Sequence, residues 1–218
     1  MSALMRVLAG MLLTAAAGCT SGFHSSARPE QVYFLRANTP ALTTDAAHPA
    51  LTLRVARVVA GPGLETSHIV LLETDRRMSY YTASRWAAPL PEVVEELAVE
   101  TLRSSGAWQA VQSSESGFPS DYLLQIRIRA FESDYTASAA PDVQVALDCT
   151  LGRRSGREIV STFAAEGSAK AAANKLGDVV AAFEQATNAA LASMTKQASD
   201  AVRRDAQKVD SPVPSINR

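Results

Sequence analysis

Apolar and polar residues alternate through much of the middle of this chain, and a side-chain period of two is the pattern of a strand with one buried face. The clearest case sets Tyr122, Leu124, Ile126, Ile128 and Ala130 against Gln125, Arg127 and Arg129. Across residues 51–59, Leu51, Leu53, Val55 and Val59 fall on one side and Thr52, Arg54 and Ala56 on the other, up to a turn at Gly61-Pro62-Gly63. Val143, Val145, Leu147, Cys149 and Leu151 alternate again, and with residues 158–163 they predict a hairpin around Gly152-Arg153-Arg154-Ser155-Gly156. Shorter strands are predicted at 31–36, at 69–74 and 78–81 as a hairpin, and at an edge over 108–111.

Twice the period becomes helical. From Leu90, the positions Val93, Val94, Leu97 and Thr101 recur at three and four, with Glu92, Glu95, Glu96 and Glu100 on the opposite face. Pro89 or Pro91 suits the first turn, where no backbone donor is lost, and Gly106 suits the end. From Leu176 to about Arg204, Val180, Phe183, Thr187, Ala190, Leu191, Met194, Ala198 and Ala201 form one apolar stripe, rich enough in alanine for the axis to approach a sheet closely. About six strands and two main helices cannot cover both faces of a sheet, and alternating strands do not need them to. The expected fold is therefore α/β of the α+β kind: a mixed, mostly antiparallel sheet with helices chiefly on one face and the other face partly open and polar.

The chain's start follows a different pattern. Residues 7–17 carry no charge, Arg6 precedes them and small residues follow, which is the build of a secretory signal peptide over 1–18. The apolar run is shorter than the roughly 20 residues of a membrane-spanning helix. Ala16-Ala17-Gly18-Cys19 resembles the bacterial lipobox, which makes Cys19 the attachment point of a diacylglycerol and, after cleavage, of an N-acyl chain such as palmitate. The alternative is an ordinary secretory exit after Ala17 that leaves Cys19 a bare thiol. Several acyl chains together hold a protein on a bilayer where one binds only marginally. Thr20 rather than Asp after the cysteine implies, by the same resemblance, the periplasmic face of the outer membrane. Residues 19–30 read as a polar tether, 31–205 as the folded domain and 206–218, with Pro212 and Pro214, as a disordered tail.

Composition narrows the chemistry. Without its leader the 218-residue chain keeps 200 residues, enough for one domain with a real core. Loss of Arg6 leaves 20 basic residues against 22 acidic, a net charge of −2, which argues against nucleic acid as a partner. If Cys19 is acylated, Cys149 has no disulfide partner, and its place on the inward row of a strand makes it a small buried hydrophobe. His24, His48 and His68 each stand alone, so no metal-ligand spacing occurs. Gly152-Arg153-Arg154-Ser155-Gly156 lacks the spacing of a nucleophile elbow. No catalytic residue and no cofactor beyond the acyl chains is expected. Trp86 is a candidate partner contact, because aromatics anchor interfaces, although a tryptophan here more often packs the start of the first helix against the sheet. Arg153, Arg154 and Arg157 at the hairpin tip could meet anionic lipid or an acidic partner, or simply be solvated.

Several segments in order match a known family. Tyr33-Phe34-Leu35, Gly61-Pro62-Gly63-Leu64 with His68-Ile69-Val70, Tyr81, Arg85-Trp86-Ala87-x-Pro89-Leu90, Asp121-Tyr122-Leu123-Leu124 through Phe131-Glu132 and a closing helix from Val179 resemble the ABC-type transport auxiliary lipoproteins, over about residues 31–204. The resemblance implies an anticodon-binding-domain-like α/β fold and no enzymatic activity. It also implies service to a transporter containing an MCE-domain protein, moving phospholipid or other hydrophobic molecules between membranes. The implied partners are that MCE-domain protein and outer-membrane lipid, with self-association as a homo-oligomer left open. Two other roles fit an anchored domain: a carrier holding a small apolar ligand in its own cavity, and a support for an outer-membrane barrel.

Overall fold

A computed structural model describes residues 29–38, 51–75 and 77–210. Among them are nine strands, β1 (Gln31–Tyr33), β2 (Thr52–Val55), β3 (Val59–Ala60), β4 (His68–Leu72), β5 (Met78–Trp86), β6 (Ala110–Gln112), β7 (Tyr122–Asp134), β8 (Asp142–Arg153) and β9 (Glu158–Lys170). Two α-helices join them, α1 (Leu90–Ser104) and α2 (Leu176–Asp210).

The strand with the clearest alternation is the spine of the sheet. Along one edge β7 pairs antiparallel with β8 over its whole length, and β8 pairs with β9 in the same way. Along the other edge three short strands dock parallel to β7, one after another: β2 at residues 122–124, β3 at 127–128 and β4 at 133–134. β6 extends the sheet beyond β2, while β5 and then β1 extend it beyond β4. The long ladders are antiparallel and the sheet does not close, so the fold is the expected mixed α+β.

The strand count exceeds the expected six because all eight segments with a strand pattern form strands and the one over 51–59 is broken in two. Between the pairs Val55↔Leu124 and Val59↔Arg127, four residue steps on one side face three on β7, a one-residue bulge. The extra residue reverses the facing of everything after it. Val59 is therefore exposed, not inward with Val55 as its spacing predicts, and Val58 and Ala60 enter the core instead. A second bulge follows Ile128, so Phe131 and Ser133 continue the buried row of β7 and Ala130 does not. β5 likewise runs on to Trp86 through Ala83, whose φ of 52° marks another irregularity.

Both helices lie on the face carrying the rows Leu53, Val55 and Tyr122, Leu124, Ile126, which their register aligns. α2 crosses β9 and β8 so closely that a Cβ on Gly167 would sit 2.1 Å from the Ala186 carbonyl oxygen. Only glycine fits there. Between sheet and helix, Trp86 meets Phe183 edge-on at 5.2 Å and Phe131 at 6.0 Å, and Phe131 stacks on Phe183 at 5.2 Å. α2 continues to Asp210 rather than ending near Arg204, so residues 206–210 belong to the helix and not to a tail. Asp205 accounts for the extension: its carboxylate accepts a hydrogen bond from the Tyr122 hydroxyl at 2.8 Å and lies 3.6 Å from Arg153, which ties the last turns to β7 and β8.

Strand directions also place the two ends of the molecule. β1 is parallel to β5, β5 antiparallel to β4, and β4 parallel to β7, so β1 runs opposite to β7. The chain ahead of β1 therefore enters from the side of the C-terminal end of β7. The β8–β9 turn lies at the other end, where Tyr122 pairs with Arg153.

Candidate functional site

The hairpin tip brings the three predicted arginines together but gives them unequal freedom. Arg153 closes β8 opposite Glu158 and donates to that carboxylate, while Asp205 approaches from α2. Glu158, then Asp205, holds its guanidinium above the ordinary arginine range. The neighbouring Tyr122 hydroxyl is pushed up to about 12, first by burial and then by its bond to Asp205. Arg153 is thus committed to holding the end of α2 against the sheet.

Arg154 and Arg157 are different. Both side chains are exposed at the turn, where the Arg154 amide donates to the Asp121 carbonyl at 2.9 Å. Gly156 and Arg157 both have positive φ, 80° and 55°, so the turn holds Arg157 in a conformation that non-glycine residues seldom take. Behind the turn, on the helix-free face, lies a shallow notch of about 350 Å³ with Leu123, Thr150, Gly152 and Ile159 in its floor and the arginines at its rim. Ile159 is 70% exposed. Its part in the notch was not readable from the sequence; an isoleucine directly after a polar turn was the only signal, and that position is ordinarily a buried one.

Trp86 lies in the core. At 1% exposure, enclosed by Phe131 and Phe183, its ring offers no surface to a partner. Cys19 lies outside the described residues, as do His24 and His48. Cys149 is buried in β8, and burial pushes its thiol up to about 12. Tyr81 and Tyr80 point to opposite faces: the Tyr81 hydroxyl bonds to Ser133 at 2.9 Å and Tyr135 at 2.8 Å, while Tyr80 is half exposed.

The acidic face of α1 borders a wide cleft of about 1110 Å³ containing Glu65, Glu92, Glu95, Glu96 and Glu100, with Arg57 and Arg103 among them. Glu95 has a structural task there, accepting from the Val58 amide at 3.3 Å and the Ser114 amide at 3.2 Å. Among the described residues no three His, Cys, Asp or Glu side chains converge as metal ligands, and no helix is long and apolar enough to cross a membrane. What this geometry offers is surface for contact: a polar, largely helix-free sheet face, an arginine-rimmed notch and an acidic cleft.

Solved structures share this fold. The crystal structure of protein XCC0632 from Xanthomonas campestris superposes with a TM-score of 0.75 at 24% identity, covering 81% of this chain and 99% of that one. Another, of an uncharacterised protein, gives 0.61 at 17% identity, covering 78% and 99%. No curated protein matches the sequence. Residues 33–197 match the family model described as ABC-type transport auxiliary lipoprotein component.

Proposed function

The chain belongs to the ABC-type transport auxiliary lipoprotein component family, and from that premise we propose that it is a non-enzymatic docking subunit, held by acylated Cys19 on the periplasmic face of the outer membrane. Its partner in this reading is the MCE-domain protein of an ABC-type transporter that moves phospholipid or another hydrophobic molecule between membranes. The observation that carries the docking role, against that of a carrier with its own cavity, is the closeness of α2 to the sheet. The Gly167–Ala186 approach and the interlocked Trp86, Phe131 and Phe183 fill the space in which an internal ligand would sit. A body filled in this way works through its outside.

The test is cross-linking in intact envelopes followed by purification through a tag on this protein. An MCE-domain protein should be recovered, and charge reversal at Arg154 and Arg157 should lower its recovery in a salt-dependent manner if the notch faces it. Recovery of an outer-membrane barrel alone, or of a stoichiometric small lipid inside the monomer, would overturn the reading.

A further inference from the structure

Seven large hydrophobic side chains are exposed among the described residues, and three of them lie on β1 and β5 at one edge of the sheet, Val32 (41%), Met78 (44%) and Tyr80 (47%), with Phe34 (69%) directly after β1. Register puts the three strand residues on one face. Val32 lies beside Arg85, and Arg85 beside His68, while Tyr33 faces the other way with Trp86. The His68 ring rests against Tyr80 at 5.2 Å, which places Tyr80 on the same side and holds its ring outward. Met78 is seated against Gly63, where φ is 81° and a Cβ would come within 2.6 Å of its sulfur. The strip also carries little net charge, since Arg85 donates to Glu30 at 2.8 Å.

The chain itself indicates what covers this strip. β1 begins at its margin and runs parallel to β5, so its N-terminal end faces the β4–β5 turn end of the sheet. Cys19 precedes Pro29 by ten residues, which span at most about 35 Å when extended and roughly half that as a flexible chain. A surface tied so closely to a bilayer meets it at an effective concentration of order millimolar, so a weak apolar contact is enough. Tyrosine among aliphatic side chains, with its ion pair internally neutralised, suits the boundary between headgroups and acyl chains.

We propose that the Val32–Phe34–Met78–Tyr80 strip is a bilayer-contact surface, lying in the headgroup boundary of the membrane that holds acylated Cys19. The inference deepens the anchored-subunit reading and rests on it. Along β7 the hairpin tip and its notch lie about 30 Å from the strip, nine residues at roughly 3.3 Å each.

The test uses the full lipidated protein in phosphatidylcholine vesicles, with an environment-sensitive dye on Tyr80→Cys or, as the distal control, on Ile159→Cys. Buried Cys149 stays unlabelled. Lipids carrying a quencher near the headgroup should quench the dye at 80 several-fold more than at 159, equally at low and high salt. Equal, weak quenching at both positions, with acyl mass found on Cys19, overturns the strip and leaves the anchor standing. Absence of acyl mass and of vesicle flotation removes the anchor, and the proposal with it. A dye at 80 that is shielded without quenching, in a particle of doubled mass, assigns the strip to a second copy and overturns the bilayer contact.

Discussion

The two faces of the β7–β8–β9 sheet are built from the same three strands, yet they are held in different ways. On the covered face, Gly167 meets the α2 backbone and Trp86, Phe131 and Phe183 interlock. On the open face, Arg129 lies between Asp148, at 3.2 Å, and Glu166, with all three side chains about half exposed or more. Close packing tolerates little change, whereas exposed ion pairs contribute little and can be exchanged. The fold is therefore carried by one face, and the other is free to be shaped by what it meets.

The sharpest way to break this contrast is at Gly167. Replacing it with valine should prevent α2 from docking, a loss of more than about 3 kcal/mol, whereas Gly117→Ala, with nothing within 4 Å, should be silent. Thermal unfolding of the two variants decides it, and a stable Gly167→Val protein would refute the backbone-close packing. Phe183→Ala should cost about 3–5 kcal/mol by opening a cavity between two aromatic rings. Its urea midpoint is the measure.

The buried thiol sharpens the comparison through pH. Cys149 is raised from its ordinary 9.0 to about 12, and Tyr122 from 10.0 to about 12, both first by burial. A group raised on folding contributes fully below its unfolded pKa and loses that contribution as pH rises towards the folded one. Stability should thus hold up to about pH 9 and fall between there and about pH 12. Cys149→Ala should flatten the onset of that fall, and native Cys149 should resist alkylation at pH 8 until the protein is unfolded. The smallest effect is expected on the open face, where Arg129→Ala should barely move the urea midpoint, and less still at high salt. A larger loss would mean that the ion pairs carry the fold after all.

Much of this organisation can be read in the residues. The apolar stripe of α2 and the alternation of β7 and β8 predict the covered face, because each repeats a single period over many turns or strand steps. The bulges near Val58 and Arg129 escape such a reading, since one extra residue leaves the local apolar count unchanged while reversing every side chain after it. β9 extends to Lys170 rather than 163 because Ala164, Ala165, Gly167 and Ser168 are too small to show alternation, the same property that lets α2 approach. The end of α2 depends on Asp205 meeting Tyr122, 83 residues away in sequence. Of the candidate contacts, the arginine cluster was legible as a turn, but the division between the committed Arg153 and the free Arg154 and Arg157 rests on Glu158 and Asp205. Trp86 was legible as either core or anchor, and only the remote Phe131 and Phe183 decide between them.

β1 also determines how the molecule responds to tension. A pull applied ahead of Pro29 runs along the strand axis, so the three residues paired with β5 resist in shear, their hydrogen bonds loaded together rather than one at a time. Behind them the Arg36 amide bonds to Glu184 at 3.0 Å and the Asn38 amide to Asn188 at 2.8 Å, which passes the force into α2. The strain of being towed by the N-terminus is thereby received by the longest element of the fold, while the arginine-tipped hairpin at the far end stays unloaded.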